Sequence, residues 1–504
     1  MISLFPEWLN PFQTAPQRPA PPLGAIPERI ACCVNLSNNA FTQYSNYDFN
    51  SFARIGDTIF AANESGIYSL DDSDTDNGTP IGAFFETPAT DFGISLKKNF
   101  TRAYIGYESP GQLLLTMIPD GNLSNSVQYT FPNVSPYPGS HFHQDFIDLG
   151  AFEFARYWKA RIDNIGGCYF GIDALSLACP SVTEEKSSLG QVLLFFKDSD
   201  GLNNRIIPSR IQYDPKTGMI DLSACSNIAI DDTGFIERRE GYTLREAGIF
   251  HSLQSDGELA YAVQESGALV RVYADGSIAT VVSGLTQNLP VQGTFLAGMF
   301  FWSNGEQNGI VADTTNMPWM MLPPAPGEII REKAFSSPPI TSGPMCVYNG
   351  RIYLADGPVL WHTEYISVNR IRFAVNFHQF ESPIRMLAPV SDGIYASDDT
   401  AVYFLGGDTG GSLKRKEIFD YPAISGTASF SVLKKGSQLM GTNESFETVF
   451  ATTQGVCTGG PGGAAKNLTR GKIIFPPISS GAGIVISKQG IAARPQRFLC
   501  TLNP

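Results

Sequence analysis

Charge is sparse in this chain. Of 504 residues only 16% are Asp, Glu, Lys or Arg, and histidine occurs five times. The formal net charge is −13, and the densest basic spots, Lys414-Arg415-Lys416 and Lys434-Lys435, are short. A grip on phosphate needs a clustered basic face, so nucleic acid is not expected as the main partner. Long apolar runs are missing as well: nothing approaches the roughly 20 residues that span a bilayer as a helix. The opening MISLFPEWLNPFQ has no basic segment, and Pro6 and Glu7 interrupt its apolar residues. It reads as neither a secretory signal nor an anchor, and synthesis in a cytosol is expected. The eight cysteines (32, 33, 168, 179, 225, 346, 457 and 500) form no Cys-x-x-Cys and have no histidine at zinc spacing. Reduced, partly buried thiols are the expectation.

Helical spacing of apolar residues is not sustained beyond about three turns anywhere. What is present instead is glycine (49), proline (34) and 12% aromatics. That mixture suits short strands joined by tight turns, so the fold class expected is all-β. At this length two or three domains are the default.

Three spans are expected. The first, 1–44, is a Pro-rich extended arm; prolines at 6, 11, 16, 19, 21, 22 and 27 exclude helix and disfavour ladder pairing. Leu4, Phe5, Trp8, Leu9 and Phe12 at its tip need a surface to cover them, and a neighbouring subunit is preferred. The second, 45–185, is a β-sandwich. Its expected pairings are DTIFAANESGIYSL (57–70) about Asn63 to Gly66, and TRAYIGYES (101–109) with QLLLTMI (112–118) across Pro110-Gly111. A third is RYWKARIDNIGGCYFGIDALSL (156–177) about Asn164 to Gly167.

The third span, 186–504, carries a repeat. DGELAYAVQESGALVRVYADG, GMFFWSNGEQNGIVAD, NGRIYLADGPVLWHTEY, DGIYASDDTAVYFLGG and FETVFATTQGVCTGG each give turn, strand, polar turn, strand. They begin at 256, 298, 349, 392 and 446, so 42 to 54 residues separate them. That is the rhythm of β-propeller blades, and the span has room for six or seven.

Two Asp-Thr-Gly triplets, at Asp232 and Asp408, raise the question of an aspartic protease. Such a site needs both triplets on dry loops led in by apolar strands, so that two carboxylates share one proton. Here Asp231 precedes the first triplet, and glycines 406, 407 and 411 surround the second. The hairpin reading is preferred: SNIAI, a turn at 231–234, then FIERREGY. Glu237, Arg238, Arg239 and Glu240 put charge on both faces of that return strand. An exposed ribbon and a ribbon docked on a partner are both compatible with this.

DDSDTDNG (71–78) spaces Asp72, Asp74 and Asp76 like alternate calcium ligands, but Asn77 and Ala83 stand where such a loop needs Gly and Glu. A solvated turn is preferred. The His141/His143 pair is a weak metal signal. Trp158, Trp302, Trp319 and Trp361 are candidate sugar platforms, with core packing the commoner use. No nucleophile elbow, P-loop or dinucleotide fingerprint occurs. No catalytic, cofactor-binding or metal residue is assigned, and an enzyme is not expected.

The stretch FARIGDTIFAANESGIYSLDD, continuing through DTDNGTPIGAFFETPATDFGISLKKNFTRAYIGYESPGQLLL, resembles a segment of tailed-bacteriophage tail and baseplate proteins. RYWKARIDNIGGCYFGIDALSL is similar to the strand pair that follows in that family. IDDTGFIERREGY, with the later YNGRIYLADGPVLWHTE and PVSDGIYASDDTAVYFLGGD, resembles a second virion pattern, in which Asp232 is a turn residue at the propeller entrance. Lys97-Lys98 and Cys168-Tyr169 replace the family's Lys-Arg and Ala-Asp.

The resemblance implies a structural virion component of a siphophage or podophage tail, at the tail tip or baseplate and built as a symmetric ring. Its implied partners are other copies of itself, neighbouring tube, hub and fibre proteins and a host-surface glycan, with the 45–185 sandwich joining the tail and a role in host attachment. A podovirus-type hub or nozzle is a near variant. A carbohydrate-binding or glycan-degrading propeller protein is the alternative from another class.

Overall fold

The computed structural model describes residues 29–92, 96–133, 143–149, 154–179, 191–214, 216–321, 335–407, 412–432, 446–486 and 496–504. Apart from short 3-10 turns, every regular element among them is a strand.

Five four-stranded antiparallel sheets follow one another in the chain. Blade 2 comprises Phe250–Ser255, Ala260–Gln264, Ala268–Val272 and Ile278–Val282; blade 3 runs from Gln292–Leu296 to Thr315–Met317. Blade 4 spans Met345–Tyr348 to Phe377–Gln379, blade 5 Met386–Val390 to Lys414–Phe419, and blade 6 Ser429–Val432 to Ala465–Asn467. The five repeats seen in the sequence are the middle two strands of these five sheets. These strands are apolar along most of their length because both faces of a middle strand pack against a neighbouring sheet.

Two further sheets close the set. Blade 1 takes Ser51–Ile55, Thr58–Ala62 and Gly66–Ser73, and its fourth strand, Gly241–Ala247, arrives only after a long insertion. Blade 7 orders Ser480–Ile486, Arg497–Asn503, Ile30–Asn35 and Phe41–Tyr44, so both ends of the described chain meet in it.

Consecutive sheets share apolar cores. Phe60 and Ile67 pack with Phe250 and Ala262 between blades 1 and 2, and Tyr261 packs with Phe300 and Trp302 between blades 2 and 3. Phe301 meets Ile352, Tyr353 meets Ile394, and Tyr395 meets Phe450 along the next three interfaces. Val449 and Phe498 share the core between blades 6 and 7. Ala31, Ile484 and Leu499 of blade 7 pack on Phe52 and Tyr68 of blade 1. The last sheet thus packs on the first, which makes a closed seven-bladed β-propeller.

The insertion is the sandwich. One sheet orders Val127–Phe131, Leu113–Pro119, Trp158–Asn164, Phe84–Glu86 and Ala224–Ser226. The other orders His143–Asp148, Arg102–Glu108, Gly171–Cys179, Ile236–Arg238 and Ile228–Ile230, with Gln191–Phe196 also on Gly171–Cys179. Phe85, Tyr107, Leu115, Trp158, Ile172 and Leu175 fill the space between them. Asn227, at φ 57, is the kink where the chain leaves one sheet for the other.

This pairing divides the chain differently from the three expected spans. The boundary at 44 falls inside propeller structure, since Ile30–Asn35 and Phe41–Tyr44 are blade strands; the Pro-rich stretch through 28 lies outside the described residues. The hairpin at 57–70 forms as expected but belongs to blade 1. The boundary at 185 falls within the sandwich, which continues to Ile236–Arg238.

Two expected hairpins are crossovers. Arg102–Glu108 and Leu113–Pro119 lie in opposite sheets, as do Trp158–Asn164 and Gly171–Cys179. The two corners pack on each other: a Cβ at Gly111 would lie 2.5 Å from that of Cys168, so glycine alone fits there. A tight turn between two strands that face the same core serves a sheet-to-sheet crossing as well as a hairpin.

Candidate functional site

A cluster of buried charged side chains lies where the sandwich joins the ring. Its residues come from two stretches, the acidic DSDTD before the insertion and the Arg238-Arg239 pair within ERRE at its end. Arg239 is the centre, with 2% of its side chain exposed, as is Asp76. Its Nη1 and Nη2 donate to Asp76 Oδ1 and Oδ2 at 2.7 Å each. Nε donates to Asn227 Oδ1 at 2.9 Å, and the remaining protons reach the Glu240 and Ser45 carbonyls at 3.0 Å. All five guanidinium N–H groups therefore have acceptors. Tyr44 and Tyr47 place their rings 5.4 and 4.9 Å from the guanidinium carbon. Burial opposes the charge on Arg239, but the Asp76 carboxylate outweighs it and the pKa rises.

Neighbouring arginines extend the cluster. Arg238, almost fully buried, donates to the Asp74 carbonyl at 2.9 Å and to Asp74 Oδ1 at 2.7 Å, while its Nε has no partner. Burial lowers its pKa. Arg497 of blade 7 donates from Nη2 to Glu237 Oε1 of the sandwich at 2.8 Å. Asn227 donates to Ser45 Oγ and the Gly82 carbonyl, which anchors the strand exit to blade 7's flank. The cluster ties sandwich, blade 1 and blade 7 into one body. It contains no nucleophile paired with a base, so its chemistry is positional.

The sequence candidates fall as follows. The ERRE strand is neither an exposed ribbon nor free for a partner: Glu237, Arg238 and Arg239 are buried against this chain's own blades. Asp74 and Asp76 face arginines, which neutralise them in place of a cation, and Asp76 is not solvated; the side chain of Asp72 is outside the described ones. Asp232 sits exposed in the turn between Ile228–Ile230 and Ile236–Arg238. Asp231 caps that turn, its Oδ1 accepting from Thr233 N, Thr233 Oγ1 and Phe235 N at 2.7 to 3.0 Å. Asp408 and His141 lie outside the described residues, as do Lys434 and Lys435. Lys414-Arg415-Lys416 is an exposed edge strand of blade 5.

Trp158, Trp302 and Trp319 are core residues, which leaves them no face for a sugar; Trp361 is half-buried, with Phe373 and Phe377 beside it. Among the described residues no group of three His, Cys, Asp or Glu side chains is placed to hold a metal ion. No helix among them is long and apolar enough to cross a membrane. A shallow cleft of about 390 Å³ on blade 5 is lined by Glu381, Thr400, Tyr403, Arg415, Glu417 and Asp420.

Large apolar side chains stand exposed at several places, including Ile206, Ile207, Met320, Ile340, Phe430 and Ile474, and in two groups besides. On the sandwich they are Leu96, Leu123, Phe146, Phe154 and Tyr157; on blade 4 they are Tyr365, Ile366, Phe373, Val375 and Phe377. Ile366 is 72% exposed and holds φ 60, a conformation that β-branched residues rarely adopt. Sequence reading missed these residues, because most of them lie in turns and connections, where no strand periodicity marks which apolar side chains face the core.

No family model matches the chain, and no curated protein does. Among solved structures it is similar to the WD40 β-propeller domain of Doa1, at 9% identity over 66% of this chain and 88% of that one, with a TM-score of 0.31. It is also similar to BamB from Moraxella catarrhalis, at 14% identity over 56% of this chain and 88% of that one, with a TM-score of 0.28. The propeller assignment rests on the sheet order and the closed ring of cores.

Proposed function

We propose that this chain is a structural component of a tailed-bacteriophage tail, at the tip or baseplate, that assembles in a symmetric ring and contributes to host attachment. The observation that carries this reading is the number of large apolar side chains left exposed on the sandwich and the ring. Side chains such as Leu123, Phe154 and Ile366 left in water are what a subunit interface covers. The buried junction supports it, since a sandwich locked to its ring can transmit load between neighbours. The resemblance of the 52–115 and 156–177 stretches to tail proteins gives the class of assembly.

Gold-labelled antibody against the propeller, applied to intact virions, tests the reading. Label confined to one end of the tail supports it; label on the capsid, or none on particles, refutes it. The glycan-binding alternative keeps one platform, Trp361 with Phe373 and Phe377. Glycan-array binding that disappears in Trp361→Ala would favour it.

A further inference from the structure

Blade 7 is closed by strands from the two ends of the described chain, and at the centre of that seam two cysteines oppose each other. Cys32 of Ile30–Asn35 is the direct antiparallel partner of Cys500 in Arg497–Asn503. Their sulfurs are 3.0 Å apart, and both side chains are fully buried. Directly opposed antiparallel residues have Cα atoms about 4.5 or 5.5 Å apart, inside the range of about 4.4–6.8 Å that a disulfide spans. The adjacent Cys33 alternates to the other face and packs with Ala31, Leu499 and Tyr68, so it cannot compete for Cys500.

We propose that Cys32 and Cys500 are a disulfide-forming pair that locks the propeller ring shut. The oxidant is a small-molecule disulfide of the glutathione class. In the reaction one protein thiolate attacks that disulfide, forming a mixed disulfide and releasing one small thiol. The second protein thiolate then attacks the protein sulfur and expels the other small thiol. Two protein thiols are oxidised, one small disulfide is reduced to two thiols, and these keep the two protons.

In the closed ring the Cys500 sulfur and burial hold the Cys32 thiol protonated, so exchange waits on opening of the seam or precedes its closure during folding. Once formed, the bond joins positions 468 residues apart, so the ends of the ring separate only after reduction.

The test uses the full-length protein, incubated with oxidised glutathione at a low urea concentration that lets the seam open, then alkylated in denaturant and mapped by mass spectrometry. The expected result is a linked pair of peptides containing Cys32 and Cys500, with six of the eight thiols alkylated. The thermal midpoint should rise by about 3 °C and fall back on reduction. Cys32→Ala and Cys500→Ala should each abolish the link and the rise, while Cys33→Ala keeps both. Should Cys32→Ala fail to fold, the Cys500→Ala and Cys33→Ala pair makes the same comparison. Separate alkylated peptides for Cys32 and Cys500 after oxidation, a link that survives Cys500→Ala, or a link without a change in midpoint would each overturn the proposal.

Discussion

Replacing Arg239 with alanine removes the five-donor guanidinium at the centre of the sandwich–propeller junction. Asp76 loses both of its 2.7 Å bonds and keeps only Asn46 Nδ2 at 3.0 Å, while the Ser45 and Glu240 carbonyls lose this donor. The carboxylate is 2% exposed, so water cannot take over without opening the site. Leaving a buried charge unpaired costs about 3–5 kcal/mol, which is roughly 10² to 10⁴ in the opening equilibrium. The pair need not stabilise the fold relative to an apolar one, so Asp76→Leu with Arg239→Met should recover about half of the loss. As a control, Arg54→Ala breaks a surface pair with Asp57, whose side chain is 77% exposed, and an exposed bond to the Gly56 carbonyl, and should stay within about 0.5 kcal/mol. Urea unfolding read by tryptophan fluorescence measures all three, with Trp158 reporting from the sandwich and Trp302 and Trp319 from the ring. An Arg239→Ala protein within about 1 kcal/mol of the parent, or a double variant as weak as the sum of its singles, would refute the reasoning.

Other perturbations have defined outcomes. His362 is buried, and burial pushes its pKa down to about 4 from 6.5. Because the unfolded chain takes up this proton first as pH falls, the stabilisation is complete above pH 6.5 and is lost progressively towards 4. The loss is about 3 kcal/mol, and His362→Gln should flatten this part of the stability profile. Gly201 holds φ +84, and a Cβ there would lie 2.2 Å from the Phe41 carbonyl oxygen; Gly201→Ala should cost at least about 2 kcal/mol in thermal or urea unfolding. Asp231→Ala should cost about 1 kcal/mol by removing the turn's cap, whereas Asp232→Ala should stay within about 0.5 kcal/mol and Asp232→Asn should leave any proteolysis unchanged.

How far the sequence reveals this fold depends on contiguity. A blade is legible when its middle strands form one hairpin, as in 260–272 or 393–406, because turn and alternation then sit in one window. Blade 7 is illegible on that basis, since its middle strands are Arg497–Asn503 and Ile30–Asn35. Blade 1 reads as part of the sandwich because its third and fourth strands, Gly66–Ser73 and Gly241–Ala247, are separated by the whole insertion. The Pro110-Gly111 and Asn164 to Gly167 turns look like hairpin turns because local backbone chemistry is the same whether the next strand pairs or crosses.

The junction was half legible. Charge on both faces of residues 237–240 excludes ordinary core, but a buried arginine is tolerated where a carboxylate meets it, and Asp76 lies 163 positions away. The acidic DSDTD stretch and the Arg238-Arg239 pair are the available signal. Asp408 offers no such comparison, as it lies outside the described residues.

Sedimentation velocity of the full-length protein, from low micromolar to about 100 µM and at both low and high salt, tests the central claim most directly. A chain that exists to build a tail ring through exposed apolar faces should give one closed oligomer of fixed copy number, with salt leaving it intact because its contacts are apolar. A monomer across the whole range, with or without tail partners, would contradict the account.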